Sequence, residues 1–314
     1  MAIQWFPGHM HKAQKEVREI FHQVDLFIEV LDARIPISSQ NPMIEQIRKD
    51  KPTIKLLNKA DLADPERTDV WQAHFEQESS VRTLSINAQK GEIRQQLLKM
   101  IKELVPEKAN SLKTIHALII GIPNVGKSTL INNISGRTIA KTGNEPAVTK
   151  HQQRIKLDDN ITLIDTPGML WSNIENENSG YRLAITGGIK ETAFELPDIA
   201  SYACEYLMQN YPEKIQQRYE IDEMPASDIE LLDEIGLFRG CLGRGGRVDL
   251  AKVSRLFIME YRDGYLGNLT LETPEDIARE MIVVEEQRRL KEEKLKAREE
   301  AKKERRARHR KNKR

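Results

Sequence analysis

Residues 121–128, Gly-Ile-Pro-Asn-Val-Gly-Lys-Ser, fit the pattern G-x4-G-K-[ST] and stand between an apolar, β-branched run and a stretch of helical period. That context is the one a phosphate-binding loop requires. Average composition yields about 0.01 such matches by chance in a chain of this length, so a mere glycine-rich turn is a poor account of it. Glycines let backbone N–H groups close around phosphate oxygens at a helix N-terminus. The loop is therefore expected to bind phosphates through Asn124, Val125, Gly126, Lys127, Ser128 and Thr129. Lys127 would place charge at the β- and γ-phosphates, and the Ser128 hydroxyl would ligate Mg2+.

A loop joining strand to helix needs an α/β framework, and the rest of the chain supplies one. Apolar runs bounded by turn residues at 26–31, 53–57, 81–86, 116–120, 154–157 and 161–164 read as strands. Helical periodicity fills 12–24 before the first of them and 92–104 before the fourth. Strands alternating with helices predict a mostly parallel six-stranded sheet covered on both faces. After Trp171 a polar stretch runs to Gly180, followed by helical periodicity with no convincing strand. The expected division is a nucleotide-binding domain at 1–178, a helical domain at 179–284 and a charged tail at 285–314. Thr273-Pro274-Glu275-Asp276 has the form of a helix start, with a capping Thr and Pro at the first helical position.

Two further motifs close strands at the edge where open α/β sheets bind ligands. Asp165-Thr-Pro-Gly168 follows the run 161–164, so Asp165 suits a metal-side carboxylate and the Gly168 amide can reach a γ-phosphate. Loss of that phosphate would release the segment that follows. Asn58-Lys59-Ala60-Asp61 follows the run 53–57 and has the N-K-x-D spacing that reads guanine. A carboxylate at Asp61 accepts hydrogen bonds from guanine N1–H and the exocyclic amine, whereas adenine offers an acceptor at the first position and no amine at the second. A site built around such groups rejects an analogue that leaves them unpaired. Ser85, Asn87 and Ala88, at the end of the next strand, would complete the base pocket through backbone amides.

In Ras-like and translational GTPases these elements run from phosphate loop to D-T-P-G to N-K-x-D to the serine loop, but here the last two come first. The domain looks circularly permuted, which is tolerable because domain termini usually lie close together. With Trp5-Phe6-Pro7-Gly8-His9-Met10, Asp32-Ala-Arg34-Ile-Pro36 and Asn41-Pro42 added, the chain resembles the ribosome biogenesis GTPase A family, also called YlqF or RbgA, over about residues 3–284. The resemblance implies a GTPase that assists late assembly of the large ribosomal subunit, with a helical domain that contacts ribosomal RNA. On that basis the expected protein is a Mg2+-dependent, ribosome-stimulated GTP hydrolase, bound to its particle with GTP and released after hydrolysis to GDP. An RNA-binding protein with a structural, non-hydrolysed nucleotide is the alternative.

The permutation cuts the connection ahead of the strand at 26–31, and a crossover helix runs antiparallel to the strand it precedes. The start of the first helix, near Lys12, should thus lie at the nucleotide mouth, with His9 close to Met169. Ras-like enzymes carry a water-orienting glutamine after D-T-P-G, and methionine cannot do that. His9 is the candidate, since an imidazole can hydrogen-bond a water and titrates near neutrality, and the resemblance implies the same role. Thr149 occupies the place of the switch threonine that would close over Mg2+ and the γ-phosphate, although Ala147 stands where the family usually has glycine. Asn124 matches an asparagine linked in related GTPases to a bound K+, with a loop-bracing role as the alternative.

Charge completes the reading. In residues 285–314 fifteen Lys or Arg stand against seven Glu, a net of +8, which leaves −7 for residues 1–284 of a chain whose total is +1. Such asymmetry suggests a basic arm for nucleic acid. Seven of the last ten residues are basic, so this end should bind polyanions with steep salt dependence. Residues 243–247, Lys252, Arg255 and Arg262 offer either RNA phosphate contacts or a solvated basic face. With 31% charged residues and no run near the roughly 18 apolar residues of a membrane helix, a cytoplasmic monomer with no membrane partner is expected. Cys204 and Cys241 match no metal-ligand spacing.

Overall fold

The computed structural model describes residues 3–90, 93–111, 113–139 and 153–311, without the side chains of His9 and residues 303–311. The chain divides into two units, Met1–Thr273 and Pro274–Arg314. In the first, strands β1 (Leu26–Asp32), β2 (Thr53–Asn58), β3 (Val81–Ile86), β4 (Ile115–Gly121), β5 (Gln153–Asp158) and β6 (Ile161–Asp165) form one sheet in the order β3-β2-β1-β4-β6-β5. Every expected strand is present to within one residue at either end. All neighbours pair parallel except β5, which runs antiparallel to β6. Every residue of β1 and β2 is buried, as a sheet covered on both faces demands.

Helices α1 (Gly8–Ile20), α2 (Pro42–Arg48), α3 (Pro65–Phe75), α4 (Ile93–Leu104), α5 (Pro106–Ala109) and α6 (Lys127–Ser135) accompany the strands. Local chemistry starts several of them. Asn41 and Asp64 accept from backbone N–H groups of the first turns of α2 and α3, each with Pro at the first helical position. Helix α1 begins at Gly8 rather than near Lys12, and its last turn tightens into a 3-10 turn, Phe21–Gln23. The reason is its apolar stripe: Met10, Ala13 and Val17 are all buried, so the face that needs covering starts one turn earlier.

After β6 the chain is helical: α7 (Glu177–Ile185), α8 (Leu196–Asn210), α9 (Pro212–Tyr219), α10 (Asp228–Phe238) and α11 (Leu250–Asp263). The one β pairing after β6 among the described residues is an isolated bridge between Leu242 and Val248. Asn176, Ser227 and Asp249 cap α7, α10 and α11. Helix α8 buries Ile199, Ala203, Cys204 and Leu207 among α7, α10 and α11. These residues belong to the same apolar cluster as the sheet, from Ile3 to Leu271. That shared core is why sheet and helices form one unit to Thr273, where the sequence suggested boundaries at 178 and 284. The second unit carries α12 (Pro274–Lys311), which starts where the Thr-Pro spacing placed it. No helix among the described residues is long and apolar enough to cross a membrane.

Candidate functional site

Parallel register brings the chemistry to one edge. Asp32, at the end of β1, sits opposite Asn58, which sits opposite Ile86; on the other side Val30 pairs with Gly121 and Ile119 with Asp165. The chain order reverses between β1 and β4, and the crevice outside such a reversal is where open α/β sheets take ligands.

The phosphate loop leaves β4 at Gly121 and enters α6 through two residues with positive φ, Asn124 (59°) and Gly126 (94°). At Gly126 a Cβ would collide with the Asn58 amide, so glycine is required for space as well as conformation. Lys127, Ser128 and Thr129 form the first helical turn, where unpaired N–H groups point outward. Lys127 is 5% exposed and pairs with Asp165, which is fully buried at the end of β6. The other Asp165 oxygen, Oδ2, has no hydrogen-bond partner among the described residues. Burial pushes the Asp165 carboxyl up from its usual range, against the lowering effect of Lys127. A buried carboxylate oxygen without a donor, beside the Ser128 turn, suits Mg2+, which needs only one or two protein ligands beside phosphates and water. D-T-P-G passes so near this loop that a Cβ at Gly168 would lie 3.2 Å from Pro123 Cα. Met169 N donates to Gly121 O at 3.2 Å and Thr166 Oγ1 to Ile119 O at 3.1 Å.

Asn58 joins three loops. Its Nδ2 donates to Val125 O at 2.7 Å, and its Oδ1 accepts from Ala88 N at 2.9 Å. Ala60 N also donates to Ile86 O, fixing N-K-x-D against the serine loop. The Asp61 side of N-K-x-D is exposed while its carbonyl accepts from Asn268 Nδ2 at 2.7 Å. Ser85 is exposed on β3, and Asn87 Oδ1 turns back to Gln89 N. Lys59 has φ 62° and sends its Nζ to Asp32 Oδ2 at 2.9 Å. Asn124 Nδ2 donates to Gly187 O at 2.8 Å, so its amide nitrogen braces the loop against the helical region.

Thr149 and the His9 side chain lie outside the described residues. The backbone around His9 is placed: Met10 Sδ accepts from Leu170 N at 3.4 Å and Gln14 Nε2 donates to Leu170 O at 3.3 Å. Gln4 exchanges hydrogen bonds with both backbone groups of Ile174, and Asn41 Nδ2 donates to Met169 O at 3.1 Å. The start of α1 is thus docked on the segment leaving D-T-P-G.

Several residues that build this region carried no role in the sequence. Asp32 is 2% exposed and holds Arg34 through both oxygens, at 2.9 Å from Nε and 2.8 Å from Nη2. Burial pushes its carboxyl up, but the Arg34 and Lys59 charges prevail and hold it well below the ordinary range. Glu29 is buried on β1, accepts from Asn41 N, and is pushed up to about 7 by burial, against the lowering effect of Lys55. The available signal was position: Asp32 stands at the carboxyl end of a strand.

A mostly parallel sheet whose carboxyl edge gathers a phosphate loop, the buried Asp165 of D-T-P-G and N-K-x-D, with N-K-x-D earlier in the chain, defines a circularly permuted P-loop GTPase. The model of the family described as 50S ribosome-binding GTPase matches residues 116–224, a span that starts at β4 and omits the N-K-x-D stretch. Ribosome biogenesis GTPase A of Bacillus pumilus (strain SAFR-032) is 49% identical over 282 residues, covering 88% of this chain and 100% of that protein. The protein of that name from Thermotoga maritima is 31% identical over 275 residues, covering 88% and 96%. Among solved structures, GDP-bound TM YlqF superposes with a TM-score of 0.61 at 29% identity, covering 83% of this chain and 100% of that one. GNP-bound YlqF from T. maritima gives 0.59 at 29%, covering 84% and 99%. The chain belongs to the ribosome biogenesis GTPase A family.

Proposed function

We propose that this protein hydrolyses GTP as a nucleotide-dependent assembly factor for the large ribosomal subunit. The observation that carries the reading is the convergence of Lys127, Asp165 and Asn58 at one sheet edge, each from a motif with its own task. Asp61 reads guanine through its carboxylate, with Ser85, Asn87 and Ala88 closing the base pocket. Phosphates rest on the amides of the Asn124–Thr129 loop. Ser128, Asp165 and Thr149 would hold Mg2+, which would supply positive charge at the β- and γ-phosphates. Lys127 and Asp165 pair with each other; Lys127 would supply charge at phosphate and Asp165 would serve the metal side. Asn124 would ligate K+ through its side-chain oxygen, while its amide nitrogen stays on Gly187.

His9 positions the attacking water. The docking of Gln4, Met10 and Gln14 on residues 170–174 supports this, because it keeps the first turn of α1 beside the segment after Gly168. The helical region binds ribosomal RNA. An open groove of about 680 Å³ brings Arg218, Arg239, Lys252 and Arg255 together with exposed Met259 and Tyr265, which suits RNA. Asp249, Glu260 and Asp263 also line it, and Glu260, Asp249 and Glu191 pair with its cations, so an RNA phosphate there would have to compete with those carboxylates. Arg262 does not belong to the RNA-facing set, because its guanidinium is engaged with backbone carbonyls of α7. The basic end of the tail adds backbone contacts to RNA. Binding to the particle stimulates turnover, and hydrolysis releases the protein.

The test is GTP hydrolysis by wild type and His9→Ala, with and without large ribosomal subunits, in K+ and then Na+ buffer. Subunits should stimulate wild type by an order of magnitude or more, with His9→Ala binding GTP yet losing that rise. Unstimulated wild type refutes the assembly role, and a fully active variant refutes the role of His9.

A further inference from the structure

The last turn of α11 touches the supports of both nucleotide loops. Arg262 donates from Nε to Ile185 O at 2.8 Å and from Nη2 to Ala184 O at 2.9 Å. These are carbonyls of the final turn of α7, the negative end of its dipole. Glu191 Oε1 fixes the remaining arm of the guanidinium at 3.0 Å. Gly187 follows directly, with φ 82°, and a Cβ there would lie 3.7 Å from Arg262 Cζ. It is the Gly187 carbonyl that receives the phosphate-loop amide of Asn124. Arg262 therefore holds the platform on which Asn124 rests.

The neighbouring residue serves the other loop. Arg34 lies over the Tyr261 ring with Cζ 5.3 Å from its centroid, and its Nη1 reaches the Arg262 carbonyl at 3.5 Å. Arg34 is bound through the Nε–Nη2 edge of its guanidinium to both oxygens of Asp32, and Asp32 holds Lys59 of N-K-x-D. Asp32, Arg34 and Tyr261 are each 2% exposed, so water screens the contacts among these three only weakly.

We propose that Tyr261 and Arg262 are positioning residues through which the helical region sets guanine-nucleotide affinity, bracing the phosphate loop through Gly187 and the base-reading loop through Arg34 and Asp32. The inference rests on the GTPase reading above. By reciprocity, a partner that shifts α11 changes nucleotide affinity by the same factor as nucleotide changes affinity for that partner.

The test uses the full chain with Mg2+ and a fluorescent methylanthraniloyl-GDP. Release rate, GDP Kd and single-turnover hydrolysis at saturating GTP are measured for wild type, Arg262→Ala, Arg262→Lys, Tyr261→Ala and Tyr261→Phe. Arg262→Ala and Tyr261→Ala should release nucleotide about tenfold faster with Kd raised in proportion, while hydrolysis at saturation stays within twofold. Tyr261→Phe should restore slow release, since it keeps the ring and the hydroxyl has no hydrogen-bond partner among the described residues. Arg262→Lys can satisfy one carbonyl at a time and should fall between. Should Arg262→Ala fail to fold, Arg262→Lys and Tyr261→Ala decide by the same release rate. Folded variants with wild-type Kd and release overturn the proposal, as does hydrolysis lost at saturation with affinity intact. A wild type that binds no guanine nucleotide removes the GTPase reading itself, and the junction with it.

Discussion

Asn58 donates its side-chain amide to the carbonyl of Val125 at 2.7 Å, so the N-K-x-D loop and the phosphate loop are one hydrogen-bonded piece. The same side chain accepts from Ala88 N, and Asn58 is 2% exposed. Pre-organisation of this kind removes part of the ordering cost of binding.

Replacing Asn58 with Ala leaves a buried carbonyl and a buried N–H without partners. At about 1–3 kcal/mol for each unsatisfied group, the variant should lose roughly 2–6 kcal/mol of stability and bind GDP more weakly. Urea unfolding without nucleotide, together with GDP titration, checks both. A variant as stable as wild type would show that Asn58 does not couple the loops.

Lys127→Ala removes the partner of a fully buried carboxylate. Breaking a buried pair costs about 3–5 kcal/mol, but Asp165, whose carboxyl burial already pushes up, can take a proton instead. A folded-state pKa above the unfolded one gives stability that is present at low pH and lost as pH rises. The variant should therefore be strongly destabilised at pH 8 and less so near pH 5, and GTP turnover should be lost at both. Thermal melts at the two pH values, with hydrolysis assays, provide the check.

Glu29 gives the wild type its own pH dependence. Its carboxyl stands at about 7 in the fold against 4.5 in the ordinary range, raised by burial. The folded protein keeps this proton between those values while the unfolded chain has lost it, so stability falls as pH rises from about 4.5 to 7. At 1.36 kcal/mol per pKa unit the contribution is about 3 kcal/mol. Glu29→Gln should flatten that slope in urea melts across the window. Parallel slopes for the two proteins would refute the assignment.

Deletion of residues 305–314 removes seven cationic side chains and no acidic one. Each phosphate contact contributes about 0.7–0.9 to the slope of log Kobs against log salt. RNA affinity should drop at low salt, and the slope should flatten by several units. An unchanged slope would exclude the tail from RNA binding.

The strands were legible because buried parallel strands read as unbroken β-branched runs. The first helix was misplaced by one turn, because Met10, which starts the buried stripe, stands in a segment rich in Pro and Gly. The three nucleotide motifs were legible because glycine at the phosphate loop and Asp61 in N-K-x-D answer to local backbone geometry and ligand chemistry. Asp32 and Arg34 were visible only as family marks; their bond to Lys59 and contact with Tyr261 needed the fold. Glu272 was not visible at all. It is fully buried, accepts from Ile37 N and Ser38 N, and pairs with Arg182 at 3.5 Å across long sequence separations.

By itself the sequence determined which segments form strands, where the phosphate-loop, D-T-P-G and N-K-x-D motifs stand, and that they run in permuted order, since each depends on neighbouring residues or on spacing along the chain. Tertiary structure alone decided that Lys127 faces Asp165, that Asn58 ties Val125 to Ala88, and that α11 reaches the supports of both loops. Those partners lie tens to hundreds of residues apart, and only the parallel register of β1, β2, β4 and β6 brings their ends to one edge.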